Sequence, residues 1–288
     1  MLTLFQQIFS YDFLVRALVV GSLVSVCASL LGVTLVLKRY SMIGDGLAHV
    51  GFGALSVALA MNVAPLQISI PVVMIAAVLL LRISETSKIK GDAAIALISS
   101  SAIAIGVIVT SLTSGLSVDI YSYMFGSILA MGRQDVFLSV ALSVIVFILF
   151  ILFYHKIFAV TFDENFARAT GTRSGVYNML IALLTACTIV VGMRIMGTML
   201  ISSLIIFPAL TSMRIFKSFR MVIISSAVVS IVCFFWGIVL SFGQSLPAGA
   251  SIVLVNLLAL GLFSLIGFLI SKLNRRKLHG QKENRAYQ

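Results

Sequence analysis

Long apolar runs separated by short, mostly basic connections set the pattern of this chain. Runs at about 13–37, 42–62, 66–83, 92–112, 136–155, 176–193, 195–213, 219–243 and 251–272 approach or exceed the roughly 20 apolar residues that a helix needs to cross a bilayer. The expected fold is an all-α polytopic membrane protein with nine transmembrane helices, eight being the alternative count. Residues 1–273 read as one membrane domain and 274–288 as a polar, frayed cytoplasmic tail.

Two segments break the pattern. The stretch 121–132, YSYMFGSILAMG, is too short to cross. It fits a re-entrant or broken helix shielded by protein, or an interfacial helix with Tyr121 and Tyr123 at the headgroups. The stretch 161–175, TFDENFARATGTRSG, is the longest polar insertion between runs. Asp163 and Glu164 fall near the start of a short helix, where acidic groups complement the dipole, and Gly171 and Gly175 would end or turn it. Its residues alone leave two uses open: a solvated loop helix, or a docking helix for a cytoplasmic partner.

Composition makes the membrane assignment firm. With 60% hydrophobic residues, 10% charged residues and a mean hydropathy of +1.16, a soluble chain could not hide its apolar surface. The net charge of +11 comes from clusters between the runs: Lys38-Arg39, Arg82/Lys88/Lys90, Lys156, Arg168/Arg173, Arg214/Lys217/Arg220 and the tail. That is the positive-inside pattern, and it argues against nucleic-acid binding. It places the C-terminus in the cytoplasm and, with nine spans, the N-terminus outside. Asp119, Arg133 and Arg194 are then left near the outer surface. The first residues, MLTLFQQIFSYDF, lack the basic leader and cleavage site of a secretory signal, so the first span is expected to stay in the mature protein. Cys27, Cys187 and Cys233 lie in apolar runs without CxxC spacing, which points to packing.

Candidate chemistry is sparse. Asp45 and His49, in SMIGDGLAHVGFGAL, stand four residues apart and share a helix face. Ionisable groups within a span are expensive, and this pair has the donors to hold a divalent cation. An Asp at a helix start and a His hydrogen-bonded inside a bundle would produce the same spacing. Pro208, in ISSLIIFPALTS, interrupts a span and releases a carbonyl, with Ser202, Ser203, Thr211 and Ser212 around it. Such a break lines a pathway or is purely structural. There is no GxxxxGK[ST] phosphate loop, no HExxH and no GxSxG, so catalysis within this chain, nucleotide hydrolysis included, is not expected.

Three stretches, LVLKRYSMIGDGLAHVGFGALSVAL, TFDENFARATG and MGTMLISSLIIFPALTS, resemble in order and spacing the membrane permease subunits of zinc- and manganese-importing ATP-binding cassette transporters. The resemblance covers most of the chain and implies a type II importer-like permease in a bacterial plasma membrane. It implies a homodimer forming one pore, two separate cytoplasmic ATPase subunits that bind ATP, and an extracellular solute-binding protein that delivers metal. No permanently bound cofactor is implied; Zn(2+) or Mn(2+) is cargo, with zinc preferred and manganese or iron as alternatives. Asp45 and His49 map onto the pathway ligands of the family. Asp163, Glu164, Phe166, Ala167, Arg168 and Gly171 map onto its coupling helix. One position departs: Ser245 stands where many relatives carry an acidic residue in an outer loop, with Asp119 or Asp135 as conceivable substitutes. Two copies would bring two carboxylates and two imidazoles, four N/O donors suited to tetrahedral zinc and acceptable to manganese with added water. An ATP-independent secondary cation carrier is the competing reading, but it leaves the 161–175 segment without a task.

Overall fold

The computed structural model describes residues 10–86, 91–113 and 133–286. Within them lie eleven helices: α1 Asp12–Leu37, α2 Ile43–Ala60, α3 Pro65–Thr86, α4 Gly91–Leu112, α5 Arg133–Leu152, α6 Tyr154–Phe162, α7 Glu164–Ala169, α8 Ser174–Met196, α9 Thr198–Met213, α10 Phe219–Gln244 and α11 Ala248–Ala286. Eight of them are long and apolar enough to cross a membrane: α1 to α5, α8, α10 and α11. The expected span at 195–213 is the exception. Gly197, at φ 86°, breaks the chain between α8 and α9, and α9 has only 16 residues. At 1.5 Å per residue it rises about 24 Å, short of a hydrocarbon core of about 30 Å. The segment 121–132, expected as a re-entrant, broken or interfacial helix, and Asp119 lie outside the described residues. The final helix continues to Ala286, so the stretch expected as a frayed tail is helical that far.

Helix α9 survives at this length because protein surrounds it: α1, α2, α8, α10 and α11 all pack against it. Backbones approach most closely where glycine stands. A Cβ on Gly32 of α1 would come within 1.9 Å of the Ile205 carbonyl oxygen of α9, and one on Gly53 of α2 within 2.6 Å of the Ala102 carbonyl oxygen of α4. With lipid as apolar as leucine, such close packing and polar contacts between helices hold the bundle together. The α1–α10 seam uses hydroxyls. Ser226 donates to the Ser29 carbonyl at 3.4 Å and Ser230 to the Ser25 carbonyl at 2.9 Å. Ser25 and Ser29 in turn donate to carbonyls one turn back on their own helix, so the buried seam is satisfied. The three cysteines are free, and Cys27 donates to the Ser143 carbonyl at 3.3 Å, in keeping with a packing role.

Helix ends close with residues in the left-handed region. Arg39 (φ 61°) follows α1, where Tyr40 N–H reaches the Leu35 carbonyl and Arg39 N–H that of Val36. Gly171 (φ 82°) follows α7 in the same arrangement, with bonds from Thr172 to Ala167 and from Gly171 to Arg168. Both are Schellman motifs, which satisfy the last carbonyls of a helix and turn the chain sharply.

Candidate metal pathway and cytoplasmic coupling segment

Asp45 lies in the first turn of α2 and His49 one turn later. His49 Nε2 stands 3.4 Å from Asp45 Oδ2, and the Ser202 hydroxyl, on α9, donates to Asp45 Oδ1 at 3.3 Å. The side chains remain 24% and 41% exposed for His49 and Asp45, so both keep an open side within the isolated chain. Gly44 and Gly46 make this approach possible: their Cβ positions would meet Ile205 of α9 at 3.0 Å and Ile95 of α4 at 2.6 Å.

Neighbouring contacts fix the level of the pair. Ile201 lies against Gly192 beside Val24, and Ile205 lies against Gly32. Those α1 residues are fourteen and six positions before Lys38, or about 21 and 9 Å along the helix. Ser202, between Ile201 and Ile205, therefore holds Asp45 well inside the bundle. The left-handed turn at Arg39 separates α1 from the helix that carries the motif.

Among the described residues there is no group of three or more His, Cys, Asp or Glu side chains able to hold a metal. One chain thus offers a carboxylate and an imidazole, with a serine hydroxyl behind the carboxylate. Ser203 turns to its own helix, donating to the Met199 carbonyl at 3.0 Å. Pro208 is buried and α9 continues through it, while its missing N–H leaves the Leu204 carbonyl without the usual partner. Ser212 binds Ser225 of α10 at 3.2 Å.

The second candidate region is α7. Asp163 caps it, accepting the Phe166 N–H at 2.9 Å, and Glu164 and Arg168 pair across one turn at 2.6 Å. Ala167 is fully buried and anchors the helix, whereas Phe166 is 65% exposed. Gly171 terminates the helix; Gly175 falls inside the first turn of α8. The Glu164 carboxylate also accepts from Asn178 of α8 at 3.2 Å and lies 3.5 Å from the Lys38 ammonium. Lys38 donates further to the Asn178 side-chain oxygen and to the Val160 carbonyl. Burial works to raise the Glu164 pKa, but Asn178, Lys38, Arg168 and Ser174 together hold it below the ordinary value of 4.5. From the sequence Lys38 reads only as part of a basic cluster, and Asn178 is not singled out. Their only signal was a lysine at a helix end and an amide early in an apolar run.

Near the opposite end, Asp135 of α5 pairs with Arg194 of α8 at 3.4 Å. It is thus engaged in an ion pair. Ser245 takes a left-handed conformation (φ 52°) after α10, where Ser241 donates to the Leu246 carbonyl at 2.7 Å.

Eight helices long and apolar enough to cross a membrane, around a half-buried Asp/His pair, define a polytopic helical membrane protein. The ABC 3 transport family matches residues 10–267, and the chain belongs to it, as the resemblance implied. It is 27% identical over 261 residues to the manganese transport system membrane protein MntC of Halalkalibacterium halodurans, covering 90% of this chain and 89% of that one. It is 26% identical over 255 residues to the high-affinity zinc uptake system membrane protein ZnuB of Haemophilus influenzae, covering 88% and 98%. The solved structure of PsaBC from Streptococcus pneumoniae in complex with Fab matches with a TM-score of 0.81 at 27% identity, over 93% of this chain and 95% of that one.

Proposed function

We propose that this chain is the pore-forming subunit of an importer that carries a divalent metal ion into a bacterial cytoplasm, with zinc as the favoured cargo. The observation that carries the reading is the Asp45–His49–Ser202 arrangement held inside the bundle. A half-buried carboxylate offsets cation charge where lipid cannot. Two donors per chain are too few for an ion, so a second copy completes the set: two carboxylates and two imidazoles about a shared axis. Without thiolates the site binds more weakly than a structural zinc centre, which suits an ion that must leave.

Helix α7 is the surface for a separate ATPase. Phe166 is its apolar contact, and Asp163, Glu164, Arg168 and Gly171 hold its shape. Closure of two ATPase subunits on ATP would move α7 and, through Lys38, α1. An extracellular binding protein supplies the metal. Manganese is the second reading, because relatives such as MntC carry it in their names and the same donors accept it with added water.

The test is uptake of radiolabelled zinc against manganese into proteoliposomes holding the permease, its ATPase and its binding protein. Zinc accumulation that is ATP-dependent and abolished in His49→Ala, with normal insertion and ATPase assembly, is the expected result. Wild-type uptake by His49→Ala removes the pair from the pathway, and preferential manganese uptake selects the second reading.

A further inference from the structure

A groove of about 750 Å³ runs along the outside of the bundle, away from the Asp45/His49 pair. Its floor is Val26 and Leu30 of α1, and its walls are the Phe147–Tyr154 stretch of α5 and α6 and the Ile223–Val228 face of α10. On α10 the lining positions 220, 223, 224, 227 and 228 repeat at helical spacing, one continuous stripe. From Arg220 to Val228 this stripe rises about 12 Å, close to half of a hydrocarbon core of about 30 Å. The lining stripe is therefore a little shorter than the hydrocarbon part of one leaflet, about 15 Å.

Its chemistry is divided by level. Everything beyond the first turn of α10 is aliphatic or aromatic, while the mouth carries Arg220 and His155, the Tyr154 ring standing in edge contact with that of His155 at 5.4 Å between centroids. Among the described residues, Arg220 makes no ion pair or hydrogen bond with protein and is exposed, and no carboxylate lines the groove. Lys156, next to His155 in the chain, and Lys217, three positions before Arg220, are exposed as well. Phe219 packs on Tyr154, Phe158 and Phe162, which ties the start of α10 to α6 and fixes the mouth.

From this division we infer that the groove is a site for one anionic phospholipid, its phosphate between Arg220 and His155 and an acyl chain along the α1 floor. Basic pockets between membrane helices take anionic headgroups in this way. An apolar trough without the cationic mouth would hold any lipid, and a cationic surface without the trough would attract headgroups without retaining them. Here both stand at matching depths.

The test is native mass spectrometry of the full chain, extracted from nanodiscs of mixed phosphatidylglycerol and phosphatidylcholine. The wild type is expected to retain one phosphatidylglycerol per chain in preference to phosphatidylcholine. Arg220→Gln should lower that retention about fivefold, the weight of one cationic side chain at an anionic surface, and Arg220→Lys should restore most of it. Ala227→Phe, which fills the half-buried floor side of α10, should lower retention with the charges in place. Thermal midpoints in pure phosphatidylcholine, unchanged among the variants, show that each still folds. If Ala227→Phe proves unfolded, the smaller Ala227→Leu serves instead. Equal retention of the two lipids by the wild type overturns the proposal. So does loss in Arg220→Gln with full retention in the groove-filling variant, which would assign the binding to surface charge alone. Disulfide-linked dimers formed through Val228→Cys would assign the face to a second copy and overturn it too.

Discussion

Glu164 is the residue whose surroundings say most about the α7 end of the bundle. Its pKa is lower in the folded chain than in the unfolded one, so the unfolded chain binds the proton more readily. The carboxylate's contribution is therefore complete above about pH 4.5 and is lost as the pH falls through the folded value. Glu164→Gln is expected to lower stability at pH 7 by about 1 kcal/mol, the range of a partly exposed ion pair. Thermal midpoints of wild type and variant, measured down the pH scale, should converge in acid; a constant gap would deny the carboxylate this role. Ser202 offers the counterpart inside the bundle. Ser202→Ala removes one donor to Asp45 and should weaken apparent metal affinity about tenfold, as loss of an outer-shell partner does, with the maximal uptake rate retained. The Asp45/His49 pair was legible in the sequence from its spacing. Its partner Ser202 lies 157 positions away, a separation no local pattern encodes.

At the level of elements, glycine decides where helices meet and where they stop. Gly171 has open space around its missing Cβ but holds φ 82°. Gly171→Ala should therefore cost about 1 kcal/mol through backbone conformation alone, loosening α7 without a clash. Gly32 is the reverse case: its φ is ordinary and its space is taken by the Ile205 backbone. Gly32→Ala must push α1 from α9 and should cost about 1–3 kcal/mol, read as a lower thermal midpoint together with reduced uptake, since Ser202 sits one turn from the contact. An unaltered midpoint would mean that the two helices tolerate separation. Helix existence followed from hydropathy almost everywhere. The boundary between the runs 176–193 and 195–213 was also legible, at Arg194; what hydropathy did not give is the length of the second helix, which starts only after the positive-φ Gly197 and keeps 16 residues.

Across the whole molecule, Lys38 joins α1, α6, α7 and α8 through Val160, Glu164 and Asn178. Lys38→Met keeps the length of the side chain and removes the charge. Co-purification of the ATPase with reduced metal transport per ATP hydrolysed is the outcome expected if this residue links the two ends. Unchanged coupling would free Lys38 from that part. The apolar runs announced the bundle, yet the order in which helices pack depended on small residues and hydroxyls that hydropathy averages away. The α1–α10 seam shows what such residues permit. Its bonds run from serine hydroxyls to main-chain carbonyls, and similar carbonyls recur up and down each helix. One turn beyond Ser230, the buried Phe234 ring of α10 fills the notch that Gly21 leaves on α1. The seam is therefore keyed against axial shift, and Gly21→Ala, which would displace that ring, should lower the thermal midpoint.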